Sequence, residues 1–260
     1  MRLVTRPDLD GLTCAVLLSE CEALDSVELV HPQDVSERRV PIGPQDIVAN
    51  LLYHPACGMW FDNHLLTDPK AMPPAGFKGR YGKAPSAARL VYEHYAKSQP
   101  GFARHDALVA ETDRLDSAQL TLEDVLSPGG YVLLGLTLDS RTGLGSLREY
   151  FDELWPAVRE RSIDQVLALP SVRERVARMR EQDQAFRAAA RARSRLDGDV
   201  VVTDFRATAR SRSATASSSS RCFRKRARRS ASSGGPAASG SPCRPAGRFS
   251  TAARAPTSGC

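Results

Sequence analysis

The chain has 260 residues, with 36 Lys/Arg against 30 Asp/Glu for a formal charge of +6, enough length for a sizeable core in one large or two small domains. That charge is unevenly placed: residues 207–260 hold eleven Lys/Arg and no acid, which leaves 25 basic and 30 acidic groups in the first 206 residues, a net of −5. No apolar run has signal-peptide or membrane-spanning length, and the six cysteines show no C-x-x-C or zinc spacing, so a reduced, cytoplasmic protein without a membrane partner is the expectation.

Leu3–Thr5 is predicted as a first strand. Residues 11–24, with Leu12, Val16, Leu17 and Leu24 at helical spacing, form a predicted amphipathic helix packed on the sheet, with Cys14 and Cys21 as buried free thiols. Val27–Val30, 46–50 and 58–62 read as three further strands, the last ending on Asp62. Strands alternating with helices point to an α/β fold with a parallel sheet flanked by helices. A ligand site then belongs at the carboxyl ends of the strands, where Asp8, Asn50 and Asp62 fall. Residues 65–83 are loop-rich and carry Lys70, Lys78, Arg80 and Lys83, a solvated loop or a flap for an anionic substrate.

A helix is expected from Pro85 to about Lys97, and another over 104–116 that contains Glu111, Asp113 and Asp116. Residues 129–138 and 145–167 look helical too. A long, charged helix follows over 170–196, polar on most of its surface, as in a helix that bridges domains. Val200–Thr203 begins a new strand, with Asp197-Gly198 as its turn. From Ala207 onward only Phe223 and Phe249 belong to the Val/Ile/Leu/Met/Phe/Trp/Tyr set. Such a segment buries too little area to offset its ordering entropy, so a disordered tail is expected.

Two stretches carry the chemistry. In Asp8-Leu9-Asp10-Gly11 two carboxylates leave the first strand, either as hard oxygen ligands for Mg²⁺ or Mn²⁺ or as a helix cap and a turn. In Trp60-Phe61-Asp62-Asn63-His64 an acid and a histidine leave a buried strand within three residues, a donor mixture that favours Mn²⁺ over Ca²⁺. Together with Asp113-Arg114-Leu115-Asp116, they make a shared metal site the better reading.

On these residues the sequence resembles the DHH phosphoesterase family, named for an Asp-His-His motif, and within it a bacterial exopolyphosphatase-like branch. Thr5-Arg6-Pro7-Asp8-Leu9-Asp10-Gly11-Leu12 is similar to that branch's T-R-x-D-x-D-G-L. Gly58-Met59-Trp60-Phe61-Asp62-Asn63-His64 is similar to its G-x-W-F-D-H-H, and 84–89 and 113–118 have counterparts too. The resemblance spans about residues 1–206. It implies a two-ion Mn²⁺ site, Mg²⁺ being the alternative, with Asp8, Asp10, Asp62, His64 and Asp113 as ligands or close neighbours and Asp116 orienting them. Asp8, Asp10, Asp62 and His64 would be the catalytic set. Arg6, Lys83 and Arg89 would meet the substrate: polyphosphate, a short oligonucleotide or another phosphorylated small molecule. A homodimer is a further expectation. The division that follows is a metal-binding phosphoesterase domain over 1–168, a linker helix over 169–197, the first strand of a second domain over 198–206, and the tail over 207–260.

The chain departs from the pattern in three places. Val4 stands where many members have a histidine, Asn50 where an Asp is expected after the third strand, and Asn63 where the first His of the triplet belongs. An amide is a poor transition-metal ligand, so impaired activity is one expectation. The family's glycine-rich, His-containing phosphate motif of the second domain is missing as well. A frameshift near Arg206 accounts for that: read one nucleotide back, serine codons of the TCN type become codons with a middle T, and Ser217–Ser220 becomes four apolar residues. The other reading is a catalytically degenerate protein whose basic tail binds nucleic acid or polyphosphate. A haloacid-dehalogenase-type reading with Asp8 as nucleophile ranks below both. Thr5-Arg6-Pro7 separates the strand from that Asp, and Asp62 and His64 are left without a role.

Overall fold

The computed structural model describes residues 1–68, 72–138 and 146–205, so Lys70 and the tail beyond Phe205 lie outside the described residues. Five short strands, β1 (Arg2–Thr5), β2 (Ser26–Leu29), β3 (Asp46–Ala49), β4 (Met59–Asp62) and β5 (Gly79–Tyr81), make one sheet in the order β2-β1-β3-β4-β5. Every neighbouring pair in it is parallel. The chain grows outward from β1 in one direction to β2 and in the other to β3, so the gap between β1 and β3 is a topological switch point. In open α/β sheets ligands bind there, beyond the strands' carboxyl ends.

Side chains alternate across the sheet as a two-residue period requires. Leu3, Ile47, Ala49 and Phe61 face a layer built on helix α1 (Leu9–Cys21), with Val91, Leu108 and Phe151 among its members. Val4, Val48 and Trp60 face a smaller cluster with Val30, Leu51 and Val35, the last from the short helix α2 (Pro32–Ser36). The first helix is not amphipathic as its leucine spacing suggests. Leu9 to Leu18 are all buried, because α3 (Ala87–Tyr95), α4 (Asp106–Asp116) and the later helix α7 (Leu147–Glu160) cover the sides that the sheet leaves open. Its polar members are satisfied inside: the Thr13 hydroxyl donates to Leu9 O and lies 2.8 Å from the Thr112 hydroxyl on α4. Cys14 and Cys21 are free thiols, with Cys14 buried and Cys21 half-buried.

Several boundaries differ from the sequence expectation. The loop-rich stretch contains β5, three residues long, and residues 100–105 form a 3-10 turn ahead of α4. Short α5 (Leu122–Leu126) precedes α6 (Gly130–Thr137). The single helix expected over 145–167 is two, α7 (Leu147–Glu160) and α8 (Ile163–Leu167), because Ser162 and Gln165 form a capping box that starts a new helix. Helix α9 (Pro170–Arg193) ends before Leu196. Residues 194–197 instead form β6 (Ser194–Asp197), paired antiparallel with β7 (Val200–Thr203) around Gly198 at φ 58. The linker helix drawn to 197 is therefore helical only to Arg193. Helix α9 is also docked rather than free-standing: Val172, Met179, Phe186 and Ala190 are buried, and it packs along α6 and α8. Among the described residues no helix is long and apolar enough to cross a membrane.

Candidate active site at the sheet switch point

Asp8 leaves β1 in extended conformation and caps α1, its Oδ1 accepting from Gly11 N at 2.9 Å. Arg6 grips its other oxygen, Nε to Oδ2 at 3.1 Å. The loop folds back so tightly that a Cβ on Gly11 would lie 2.1 Å from Arg6 O, so position 11 must be glycine. From the far side of the switch point Asn50 sends Nδ2 to Asp8 Oδ1 at 2.9 Å. Asn50 itself is fully buried and sits at φ 57, a left-handed conformation that Asn tolerates better than most residues. The cap reading and the site reading of Asp8 are thus both physical: one oxygen starts a helix while the carboxylate stays at the cleft.

Asp10 points inward. Its two oxygens accept from Ala87 N at 3.0 Å and Ala88 N at 2.7 Å, placing a carboxylate against the amino end of α3, where the helix dipole favours it. Burial, then the charges of Asp116 and Asp8, push its pKa well up, against the pull of those two amides.

Asp62 ends β4 with no exposed surface. Its Oδ1 lies 2.7 Å from His64 Nδ1, while Oδ2 is buried with no hydrogen-bond partner. That hydrogen bond raises the His64 imidazole above its ordinary range, against its own partial burial. Asn63, in the place of the expected histidine, donates from Nδ2 to Ala84 O at 3.1 Å, and its Oδ1 is buried without a partner.

Helix α4 supplies the remaining acids, and the packing gives them different surroundings. Asp113 is held on both oxygens: Ser86 Oγ donates to Oδ1 at 2.6 Å, and Arg89 donates to Oδ2 from Nε at 2.9 Å and from NH2 at 2.6 Å. Its carboxylate is a bracket that joins α3 to α4. Asp116, one turn on, is the one that faces the cluster. Desolvation, then the charge of Asp8, raises its carboxyl, while His64, Arg6 and a hydrogen bond with Asn63 pull it down. The 84–89 motif acquires a structural meaning: Ser86 caps α3, residues 87–88 bind Asp10, and Arg89 holds Asp113.

Of the residues expected to meet substrate, Arg6 lies at the cleft, with NH1 3.4 Å from Asn50 Oδ1. Lys83 is exposed in the loop between β5 and α3. Arg89 is committed to Asp113 and stacks on Tyr92. Sequence reasoning missed the part played by Asn50 in holding Asp8, for which an Asn at the end of a buried strand was the available signal.

The donors fit a hard divalent cation in kind. Asp62 Oδ2 is a buried carboxylate oxygen without a hydrogen-bond partner, and Asp62, Asp8, Asp10 and Asp116 all act by charge on the buried Cys14 thiol; Asp8 raises the carboxyls of Asp10 and Asp116. Among the described residues no group of three or more His, Cys, Asp or Glu is already drawn together as a coordination sphere.

No family model matches the chain, and no curated protein matches it. Among solved structures it is similar to a pGpG-specific phosphodiesterase, PggH from Vibrio cholerae. The match has 35% identity and a TM-score of 0.69, and covers 82% of this chain and 71% of that one. Identity at that level over most of both chains, together with the acidic cluster at the switch point, places this chain in the DHH family of phosphoesterases.

Proposed function

We propose that this protein is a divalent-cation-dependent phosphodiesterase, using Mn²⁺ or Mg²⁺, that cleaves a linear dinucleotide or short oligonucleotide; polyphosphate ranks behind these. The observation that carries the reading is Asp62 at the end of β4, with one oxygen on His64, itself within electrostatic reach of Asp116, and the other buried without a hydrogen-bond partner. The similarity to a pGpG-specific phosphodiesterase supports a phosphodiester between nucleotides over a phosphoanhydride chain.

Asp8, Asp62 and Asp116 would hold the ions, with His64 and Asp10 next to them. The chemistry supplied by two bound cations is activation of water and neutralisation of charge on the phosphoryl oxygens. Asp62 Oδ1 accepts from His64 Nδ1, which fixes the imidazole and leaves Nε2 as its outward atom. Arg6, tied to Asp8 and Asn50, is placed to meet a phosphate oxygen at the rim. The test is Mn²⁺-dependent hydrolysis of pGpG by the full chain. Asp62→Asn should lower kcat by a factor on the order of 10²–10³ while leaving the folded state intact, the usual scale for losing one charge-stabilising group. Unchanged turnover in that variant would sink the proposal.

We further propose that the chain from about residue 207 is read out of frame, which would explain eleven basic and no acidic residues in 54 positions. The coding DNA tests this directly, since stop codons or a lack of apolar pattern in the minus-one frame overturn it.

A further inference from the structure

Helices α7 and α9 line a polar cavity of about 280 Å³ that includes none of the acids at the switch point. This is just under the usual span of about 300–1,000 Å³ for small-molecule pockets, so it suits a small ligand. Arg175 lines it, only 8% exposed, with its guanidinium 4.0 Å over the Tyr150 ring. Its Nη2 donates to Ser146 O at 2.6 Å, but Nη1 is buried with no hydrogen-bond partner among the described residues. One turn earlier on the same face of α9, Ser171 Oγ is buried and equally unmet. Ser171 belongs to the first turn of that helix, whose N-cap, Leu169, makes no side-chain bond to the free amides. Leaving a buried cationic donor unmet is costly, so a guanidinium, a hydroxyl and a helix amino end together call for an anionic group.

The other wall is acidic. Glu149 and Glu153 lie one turn apart on α7 and have no ion pair among the described residues, whereas Glu174 is taken by Arg178 at 2.5 Å. With that pair self-neutralised, the single charge of Arg175 stands against two acids, a balance of −1. A plain anion meets repulsion from the acids, and a plain amine meets it from Arg175. A molecule with one carboxylate and two ammonium groups satisfies both walls and leaves the whole neutral. We propose that this cavity binds a basic α-amino acid, its carboxylate on Arg175 Nη1 and Ser171 Oγ and its ammonium groups at Glu149 and Glu153. The bound molecule adds a bridge between α7 and α9 beside the Arg175–Tyr150 stack, and it needs no cation at the switch point.

The experiment is calorimetric titration of the full chain, in metal-free buffer, with L-lysine, with acetate and with 1,5-diaminopentane; the last two keep only the carboxylate or only the ammonium groups. Lysine should bind about ten-fold or more tighter than either, the scale of one charge-assisted hydrogen bond, and should raise the melting temperature. Ser171→Ala should weaken lysine binding several-fold, and so should the double change Glu149→Gln with Glu153→Gln. Arg175→Met, which keeps an unbranched stem against Tyr150, should abolish it. Melting curves check that each variant folds, and the first two decide the matter if Arg175→Met does not. No binding of lysine leaves water as the partner of Arg175 and overturns the site, as does lysine binding unchanged in the folded variants. Acetate bound as tightly as lysine overturns it too, leaving a plain anion site.

Discussion

Asn50 and Asp8 are joined across the switch point by a 2.9 Å hydrogen bond in which the amide donates and the carboxylate accepts. Restoring an acid at position 50 turns that donor into a second negative charge. Asn50→Asp is expected to lower stability without metal by about 1–3 kcal/mol, from a lost charge-assisted bond plus like-charge repulsion. In saturating Mn²⁺ the loss is expected to shrink, because an added carboxylate at the proposed cation site would tighten ion binding to the folded state. The check is the melting temperature with and without Mn²⁺: the shift on adding metal should be larger in Asn50→Asp than in wild type.

Gly11 is fixed by backbone, since its missing Cβ would meet Arg6 O at 2.1 Å. Gly11→Ala should cost about 3 kcal/mol or more, at the upper end for overpacking, because the obstacle is a carbonyl rather than a movable side chain. Gly43→Ala is the matched control: nothing lies within 4 Å of its Cβ, and a change within about 1 kcal/mol is expected. Urea unfolding of the two variants measures the difference.

Asn63 leaves a buried oxygen without a partner and shares a hydrogen bond with Asp116. Asn63→His should raise Mn²⁺-dependent turnover of pGpG by roughly 10–100-fold, the scale on which groups around a metal site act. An unchanged kcat would show that position 63 has no part in the chemistry.

Acid stability depends on Asp46. Burial works to raise its carboxyl, but Arg2, at 3.0 Å from Nε and 2.7 Å from NH2, and Gly43 N at 2.8 Å outweigh it and leave the pKa lowered. A carboxyl lowered on folding stabilises above its unfolded pKa of about 4 and loses that contribution as pH falls through the folded value. Asp46→Asn should therefore cost about 1–3 kcal/mol at neutral pH, with the gap to wild type closing in acid. Unfolding curves at pH 7 and near pH 3 would reveal the convergence.

The sheet was legible because its strands are short apolar runs, and the candidate site because its acids lie at or within three residues of the strand ends, as Asp62 and Asp8 do. What could not be read is what another element decides. Asp113 and Asp116 lie one turn apart on α4, and their own helix does not say which is free. Arg89 arrives from α3 and takes Asp113. The inward turn of Asp10 depends likewise on where α3 begins. Helix α1 shows leucines at amphipathic spacing, yet three other helices close around it. The β6–β7 hairpin follows a strongly helical, Arg/Ala-rich run, and the pairing of 194–197 with 200–203 overrides that local preference.

Because β1 is flanked on both sides, by β2 and by β3, and because α1 is closed by α4, the acidic cluster at the switch point cannot exist early in synthesis. Thr13 waits for Thr112, and Asp8 for Asp116. At 5–20 residues per second, those partners emerge from the ribosome on the order of ten seconds apart. During that interval the nascent chain carries an unpaired parallel edge and an uncovered apolar helix, the state in which slow, non-local folds aggregate. Chains arrested before residue 112 are expected to be captured by a chaperone and released once α4 has been translated, the kinetic counterpart of a candidate site assembled across a hundred residues.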